Sequence, residues 1–275
     1  KSLILDHLFA NIQHNHNGVA YCAETEATRD KYFANRIGLN LRRMVLSRPP
    51  TIEQCFDSIL EWHKSIRSRN STIPILIGVD SLNSMESSKT AGIGMEASHG
   101  WKYGGGTSEA FGTAMKKING EICSRYPMTT IVLLNQVRFK PNVMFGDGRY
   151  TPGGEALHFY ASMELLLKTA RLGNIKGTYT VNLTGPQRTR FGLGSKDKSF
   201  IIERWIQAKV NKTKVSNTMH EDADFVINLQ RGCSKGKGLL TRLIVEGVCE
   251  MAPNNTIIHR IGEEEHLFGS EAEWG

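Results

Sequence analysis

No stretch of the chain reaches the ~18–20 consecutive apolar residues that a membrane-spanning helix needs, so a spanning protein is not expected. No charged n-region followed by an apolar h-region opens it, so no signal peptide is expected either. Cysteine is sparse. Cys22, Cys55, Cys123, Cys233 and Cys249 are odd in number and widely scattered, and none forms a C-x-x-C pair. That argues against a disulfide scaffold and a zinc ribbon, and points to a reducing compartment. There is no internal repeat and no low-complexity tract. Also missing is any internal G-x-x-x-x-G-K-[ST] phosphate loop.

What remains is a chain of 275 residues, 40% hydrophobic and 22% charged, long enough for one large domain with a small appendage. It carries a net charge of +7. The charge is uneven: 262–275 holds Glu263, Glu264, Glu265, Glu271 and Glu273 with no Lys or Arg, whereas 168–214 holds eleven Lys and Arg against Asp197 and Glu203. A basic body with an acidic tail suits a polyanionic partner, or simply a solvated basic face.

Periodicity predicts helices over Lys1–Gln13, Thr28–Ile37, Thr51–Arg67 (capped by Thr51) and Glu109–Ser124. It predicts strands over Gly18–Cys22, Ile73–Val79, Thr129–Leu134, Met163–Lys168, Thr178–Leu183, Phe200–Lys209 and Phe225–Leu229. The first two thirds alternate, and Ile73–Val79 is apolar almost throughout, as in a parallel strand buried on both faces. The expected fold class is therefore α/β, a mostly parallel sheet flanked by helices, with antiparallel strands toward the C-terminal end. Ser84–Ser108 and Arg138–Glu155, both rich in glycine, resist assignment, and loops of that length are commonly functional.

Three apolar strands run into polar residues: Glu24, Asp80-Ser81 and Asn135-Gln136. In a doubly wound sheet, ligands bind outside the carboxyl ends of the strands, so Glu24, Asp80 and Gln136 are candidates for one crevice. An acid after an apolar strand can hold a metal-bound water beside phosphates, a second acid can polarise a nucleophile, and a Gln can sense a phosphate. Polar residues meeting solvent explain each one singly. The chain opens with Lys1-Ser2 directly before an apolar helix, in the context of the last two residues of a phosphate loop.

Asn135-Gln136-Val137-Arg138, then Val143-Met144-Phe145-Gly146, then Thr151 to Ser162 (TPGGEALHFYAS) resemble the second DNA-binding loop, and the strand after it, of the RecA recombinase family. The resemblance continues through Ile75–Leu82, Ala23–Leu39 and Lys209–Lys214, covering most of Lys1 to about Leu229. It implies a P-loop ATPase core over residues 1–230 and a C-terminal extension with an acidic tail over 231–275. It further implies a DNA-dependent ATPase that uses ATP and Mg²⁺ and forms a helical filament on single-stranded DNA. Such a filament pairs that strand with homologous duplex DNA in recombination and repair. The setting implied is the cytoplasm of a bacterium or phage-infected host. Alternatives are a hexameric RecA-fold helicase, or a RecA-like accessory protein that binds DNA without turnover.

Residue by residue, the resemblance makes Lys1 and Ser2 the close of the phosphate loop, with Ser2 and Asp80 on Mg²⁺. Glu24 matches the base that activates water, with Glu26 a nearby rival, and Glu24→Gln is expected to abolish hydrolysis. Asp30 and Phe33 match adenine-side contacts, the family commonly having Tyr in place of Phe33. Asp80 and Ser81 match the Walker B pair, and Gln136 the switch between γ-phosphate and DNA loop. Arg138, Lys140, Met144, Phe145, Gly153 and Gly154 fall in the DNA loop. Lys212 and Lys214 match a pair that reaches a neighbouring subunit's ATP; without the resemblance they read as edge lysines that discourage aggregation. The stretch Met85–Thr107 stands where the family has its first DNA loop but departs from that pattern. The family's N-terminal polymerisation segment and phosphate-loop glycines are expected upstream of Lys1, so this chain alone is expected to bind ATP poorly.

Overall fold

A computed structural model describes residues 1–26, 29–91, 105–139, 148–169, 178–182, 199–215, 222–229, 231–234, 249–251, 256–261 and 264–270. Two compact units divide the chain, Lys1–Ala161 and Ser162–Gly275.

The first unit is built on a four-stranded parallel sheet. Its strands are β1 (Val19–Glu24), β2 (Met44–Ser47), β3 (Ile75–Asp80) and β4 (Thr129–Leu133), in the order β2-β1-β3-β4. The helices are α1 (Ser2–Asn15), α2 (Lys31–Arg36), α3 (Ile52–Arg69), α4 (Ser88–Ala91), α5 (Gly105–Ile118) and α6 (Glu155–Tyr160). Side chains alternate along a strand, so β3 feeds two cores. Ile75, Ile77 and Val79 pack with Ile52, Phe56 and Ile59 of α3 and Phe111 of α5. Leu76 faces the other way, with Leu5, Phe9 and Ala10 of α1. Both surfaces of β3 are thus covered, which is why its sequence is apolar almost without interruption. Gly78 takes its place on the α1 side because a Cβ there would lie 2.6 Å from Phe9 Cζ and 2.9 Å from Leu5. Its lack of a side chain sets how closely α1 approaches the sheet.

Local chemistry accounts for several boundaries. Thr51 caps α3 by accepting from the Gln54 backbone N–H at 3.3 Å, as its position predicted. The helix predicted over Thr28–Ile37 is shorter: Asp30 is the N-cap of α2, accepting from the N–H groups of Tyr32 (2.8 Å) and Phe33 (3.1 Å). The helix predicted over Glu109–Ser124 starts earlier, at Gly105, and ends in a π turn at Asn119–Cys123. The four-residue strand β2 was not predicted. Its residues MVLS lie between Arg42-Arg43 and Arg48-Pro49-Pro50 and show no alternation, and the ladder with β1 (Ala20 opposite Met44, Ala23 opposite Ser47) supplies the order.

Within the stretch read as DNA loop and following strand there are three further elements. Strands β5 (Arg138–Phe139) and β6 (Arg149–Tyr150) pair antiparallel, and α6 occupies Glu155–Tyr160. The strand begins only at Met163. Lys140, Met144 and Phe145 lie outside the described residues, as do 92–104 of the proposed first loop.

The second unit is antiparallel where it is described. β7 (Met163–Thr169), β8 (Thr178–Asn182), β9 (Ser199–Thr213), β10 (Asp222–Asn228) and β11 (Gly232–Ser234) form one sheet, with β9 pairing β7, β8 and β10. A separate three-stranded sheet holds β12 (Cys249–Met251), β13 (Thr256–Ile261) and β14 (Glu264–Ser270). The α/β class with a parallel sheet first and antiparallel strands later is thus observed.

Candidate functional site

The carboxyl edge of the parallel sheet collects the residues singled out at the strand ends. β1 and β3 are in register so that Glu24 stands opposite Asp80. Beyond the strands the chain turns sharply. The Thr25 N–H donates to the Asp80 carbonyl at 2.8 Å, the Thr25 hydroxyl donates to the Ser81 carbonyl at 2.9 Å, and the Asp80–Ser81 peptide is cis. These bonds seat Glu26 directly over the end of β3.

Glu26 is where the polar side chains meet. Its Oε1 accepts from the Ser81 hydroxyl (2.7 Å), the Ser84 hydroxyl (3.2 Å) and the Gln136 side-chain amide (3.4 Å). The residue is exposed, so its carboxylate is open to water. Glu24 differs. It is 5% exposed, Oε1 accepts the Arg29 backbone N–H at 3.0 Å, and Oε2 pairs with Arg48 Nη2 at 3.3 Å. Sequence spacing could not rank these two acids, because both follow the same apolar strand.

Lys1 precedes α1 and sends its ammonium to the Asn135 carbonyl beyond β4. Partial burial lowers its pKa below the usual lysine range, against the upward pull of Asp80 and Glu26. The lysine therefore shares one crevice with the two acids. Ser2 is the first residue of α1. No hydrogen bond or salt bridge from a described side chain engages the Asp80 carboxylate. A strand-end carboxylate and a helix-starting hydroxyl, on β3 and α1, are hard oxygen donors of the kind that suits Mg²⁺ shared with phosphate. The residues present thus fit that ion.

Asn135 was not singled out as a site residue, although it sits beside Gln136. Its carbonyl takes Lys1, its Oδ1 accepts the Gln136 N–H at 2.8 Å, and its amide donates to the Pro152 carbonyl at 2.8 Å. One side chain thus ties the crevice to the segment before Gly153-Gly154. Those glycines adopt φ of +107° and +79°, the left-handed region. Nearby, β5 and β6 present Phe139 (74% exposed) and Tyr150 beside Arg138 and Arg149. Exposed rings next to cations match what a single-strand binding surface uses. Phe139, Arg149 and Tyr150 lie in the stretch read as DNA loop but were not named singly, because a two-residue strand leaves no periodic signal.

Four expected residues are placed differently from the rest. Phe33 is 5% exposed and meets His7 edge-on at 6.3 Å, so it packs inward, while its neighbour Tyr32 is 84% exposed. The Asp30 carboxylate caps α2. Lys212 and Lys214 belong to the second unit. Lys212 stands opposite Glu164 in the β7–β9 ladder, and the Lys214 N–H donates to the Ser162 carbonyl at 2.8 Å, just past β9.

A parallel sheet with a lysine, a strand-end aspartate and a glutamate–glutamine contact at its carboxyl edge defines a RecA-like core, the class of P-loop α/β proteins. The profile of the RecA N-terminal domain matches residues 1–190, and the chain belongs to the RecA family. It is 29% identical over 250 residues to Protein RecA of Syntrophus aciditrophicus, covering 91% of this chain and 62% of that protein. Protein RecA of Cereibacter sphaeroides is 28% identical over 250 residues, with the same coverage. Protein RecA of Oceanobacillus iheyensis is 31% identical over 177 residues, 63% of this chain and 47% of the relative. The chain spans about three fifths of the length of the first two.

Proposed function

We propose that this chain is the ATPase core of a RecA-type recombinase. In this reading the full-length protein binds ATP and Mg²⁺, assembles as a filament on single-stranded DNA, and pairs that strand with homologous duplex. The observation that carries it is the meeting of Lys1, Asp80, Glu26 and Gln136 at one sheet edge, with Asn135 joining that edge to the loop before Gly153.

Lys1 and Ser2 face the phosphates, the lysine offsetting their charge. Asp80 and the Ser2 hydroxyl would hold Mg²⁺, which would neutralise charge on the phosphate oxygens. We assign the general base to Glu26 and not to Glu24. Glu26 is open to water and touches Gln136, whereas both oxygens of Glu24 are committed to Arg29 and Arg48. A base must reach the proton it removes. Glu26 takes a proton from water as the water oxygen bonds to the γ-phosphorus and the bond from that phosphorus to the ADP oxygen breaks, and the departing phosphate frees Gln136 and, through Asn135, the loop. Arg138, the exposed Phe139 and Tyr150, and the loop residues Lys140, Met144 and Phe145 contact the strand, cations on phosphates and rings on bases. Lys212 and Lys214 act in trans on a neighbouring subunit's ATP.

The test is ATP turnover by the full-length protein with and without single-stranded DNA. Single strands are expected to stimulate strongly and duplex weakly. Glu26→Gln is expected to lower kcat by about 10²-fold or more while sparing ATP-dependent DNA binding, and Glu24→Gln by a smaller factor. The reverse ranking returns the base to Glu24. Turnover absent throughout, with salt-sensitive DNA binding retained, identifies an accessory DNA-binding protein.

A further inference from the structure

Arg29 has no part in the chemistry above, yet its side chain is only 6% exposed. It forms a salt bridge with Asp6 of α1, which is 4% exposed. Its Nη2 donates to Cys22 Sγ at 3.0 Å, and its guanidinium lies over the Phe9 ring, 5.7 Å from the centroid. Its Nε is buried without a hydrogen bond and faces Glu24 Oε1 at 3.7 Å. The backbone N–H of the same residue donates to that same oxygen at 3.0 Å. Glu24 therefore holds residue 29 by both main chain and side chain, and Arg29 in turn grips α1.

Burying two acids and a guanidinium is a poor way to stabilise a fold, because desolvation cancels much of the attraction and apolar residues of similar volume do as well. What a guanidinium adds is direction: its planar fork fixes several acceptors at set angles. The acceptors are informatively placed. Asp6 lies about one helical turn past Lys1-Ser2. Glu24 faces Asp80 across the ladder and stands two residues before Glu26. The fork thus connects the helix leaving the phosphate loop to the turn that carries the base.

We propose that Arg29, clamped between Asp6 and Glu24, is a positioning residue that holds the turn after β1, and with it Glu26, at a fixed distance from the helix that follows Lys1. The proposal rests on the ATPase reading for its consequence, but not for the clamp itself.

Asp6→Leu, Arg29→Leu and the double variant, made in the full-length protein, separate this role from fold stability. Each single change strands a buried charge and lowers the melting temperature. The double change removes the Asp6 and Arg29 charges together, leaves Glu24 paired with Arg48, and is expected to restore melting to near the parent value. It is not expected to restore the clamp. The backbone amide of residue 29 should exchange with solvent about tenfold faster or more, while amides in α1 and β1 keep their protection. The kcat for ATP should fall about tenfold or more, with KM held within about twofold. Arg29→Lys, which keeps the charge but not the fork, should move exchange and kcat in the same direction and serves if the double variant does not fold. Exchange at residue 29 as slow as in the parent, in either folded variant, overturns the clamp. Faster exchange with unchanged kcat overturns its role in the reaction. Faster exchange in a protein whose parent shows no turnover leaves the clamp standing and sinks the ATPase reading instead.

Discussion

His63 shows how one buried side chain sets a response to pH. It lies on α3, 1% exposed, and its Nε2 accepts from Arg67 Nε at 3.3 Å and lies 3.1 Å from the Thr129 hydroxyl. Arg67 also donates to the carbonyls of Ser71, Ile73 and Met128, and sits 5.2 Å from the Tyr126 ring centroid. A ring nitrogen that accepts is unprotonated. Burial first, and the Arg67 charge second, lower the His63 pKa to about 4. In the unfolded chain it returns to 6.5. Between these values the unfolded state binds more protons, so the contribution of His63 is whole above 6.5 and is lost as pH falls toward 4. Asp6 works in the opposite sense. Burial raises it from 3.8 to about 6 against the pull of Arg29, so its contribution declines as pH rises through that window. His63→Gln, which keeps an acceptor for Arg67, should therefore remove about 2 kcal/mol of acid sensitivity between pH 7 and pH 5. Denaturant midpoints at the two pH values measure it; equal sensitivity in both proteins would show that another group titrates.

At the scale of elements, the turn into α6 is the most constrained join. A Cβ on Gly153 would lie 2.4 Å from Leu157 Cδ1 and 3.3 Å from Phe111, in a backbone conformation that L residues rarely adopt. Gly153→Ala is expected to cost about 1–3 kcal/mol and to displace α6 from α5, read as a lower denaturant midpoint and weaker stimulation of turnover by single-stranded DNA. A parental midpoint would mean the turn relaxes at no cost. The elements around it differ in how legible they were. β1, β3 and β4 announced themselves as short apolar runs because the sheet is covered on both faces. α3 was legible through Thr51 and its apolar spacing. β2, β5 and β6 were not, because strands of two to four residues draw their order from a partner strand. Nothing in the sequence marks Arg29 and Asp6 as partners. Only the packing of α1 on β1 puts them inside, face to face.

The whole molecule raises the question of how its two units cooperate. Lys212 and Lys214 belong to the Ser162–Gly275 unit, and Glu26 to the other. If the lysines act on a neighbouring subunit, full-length protein carrying Lys212→Ala and Lys214→Ala should regain turnover when mixed with protein carrying Glu26→Gln. The mixture creates interfaces with an intact base on one side and intact lysines on the other. A mixture as inactive as its components would place the lysines in cis or outside the reaction.

Local patterns determined a good deal of this protein without help. Apolar runs of strand length, polar residues at their ends and a threonine cap follow from side-chain periodicity and backbone hydrogen bonding, both read within a few residues. They specified the α/β class and brought Asp80, Gln136 and one of two glutamates to the same edge. Tertiary structure decided which glutamate faces water, because that depends on cations supplied by Arg29 and by Arg48, twenty-four residues away along the chain from Glu24. It also decided that Asn135 spans from Lys1 to Pro152, since hydrogen bonds across such separations exist only once the strands are in register.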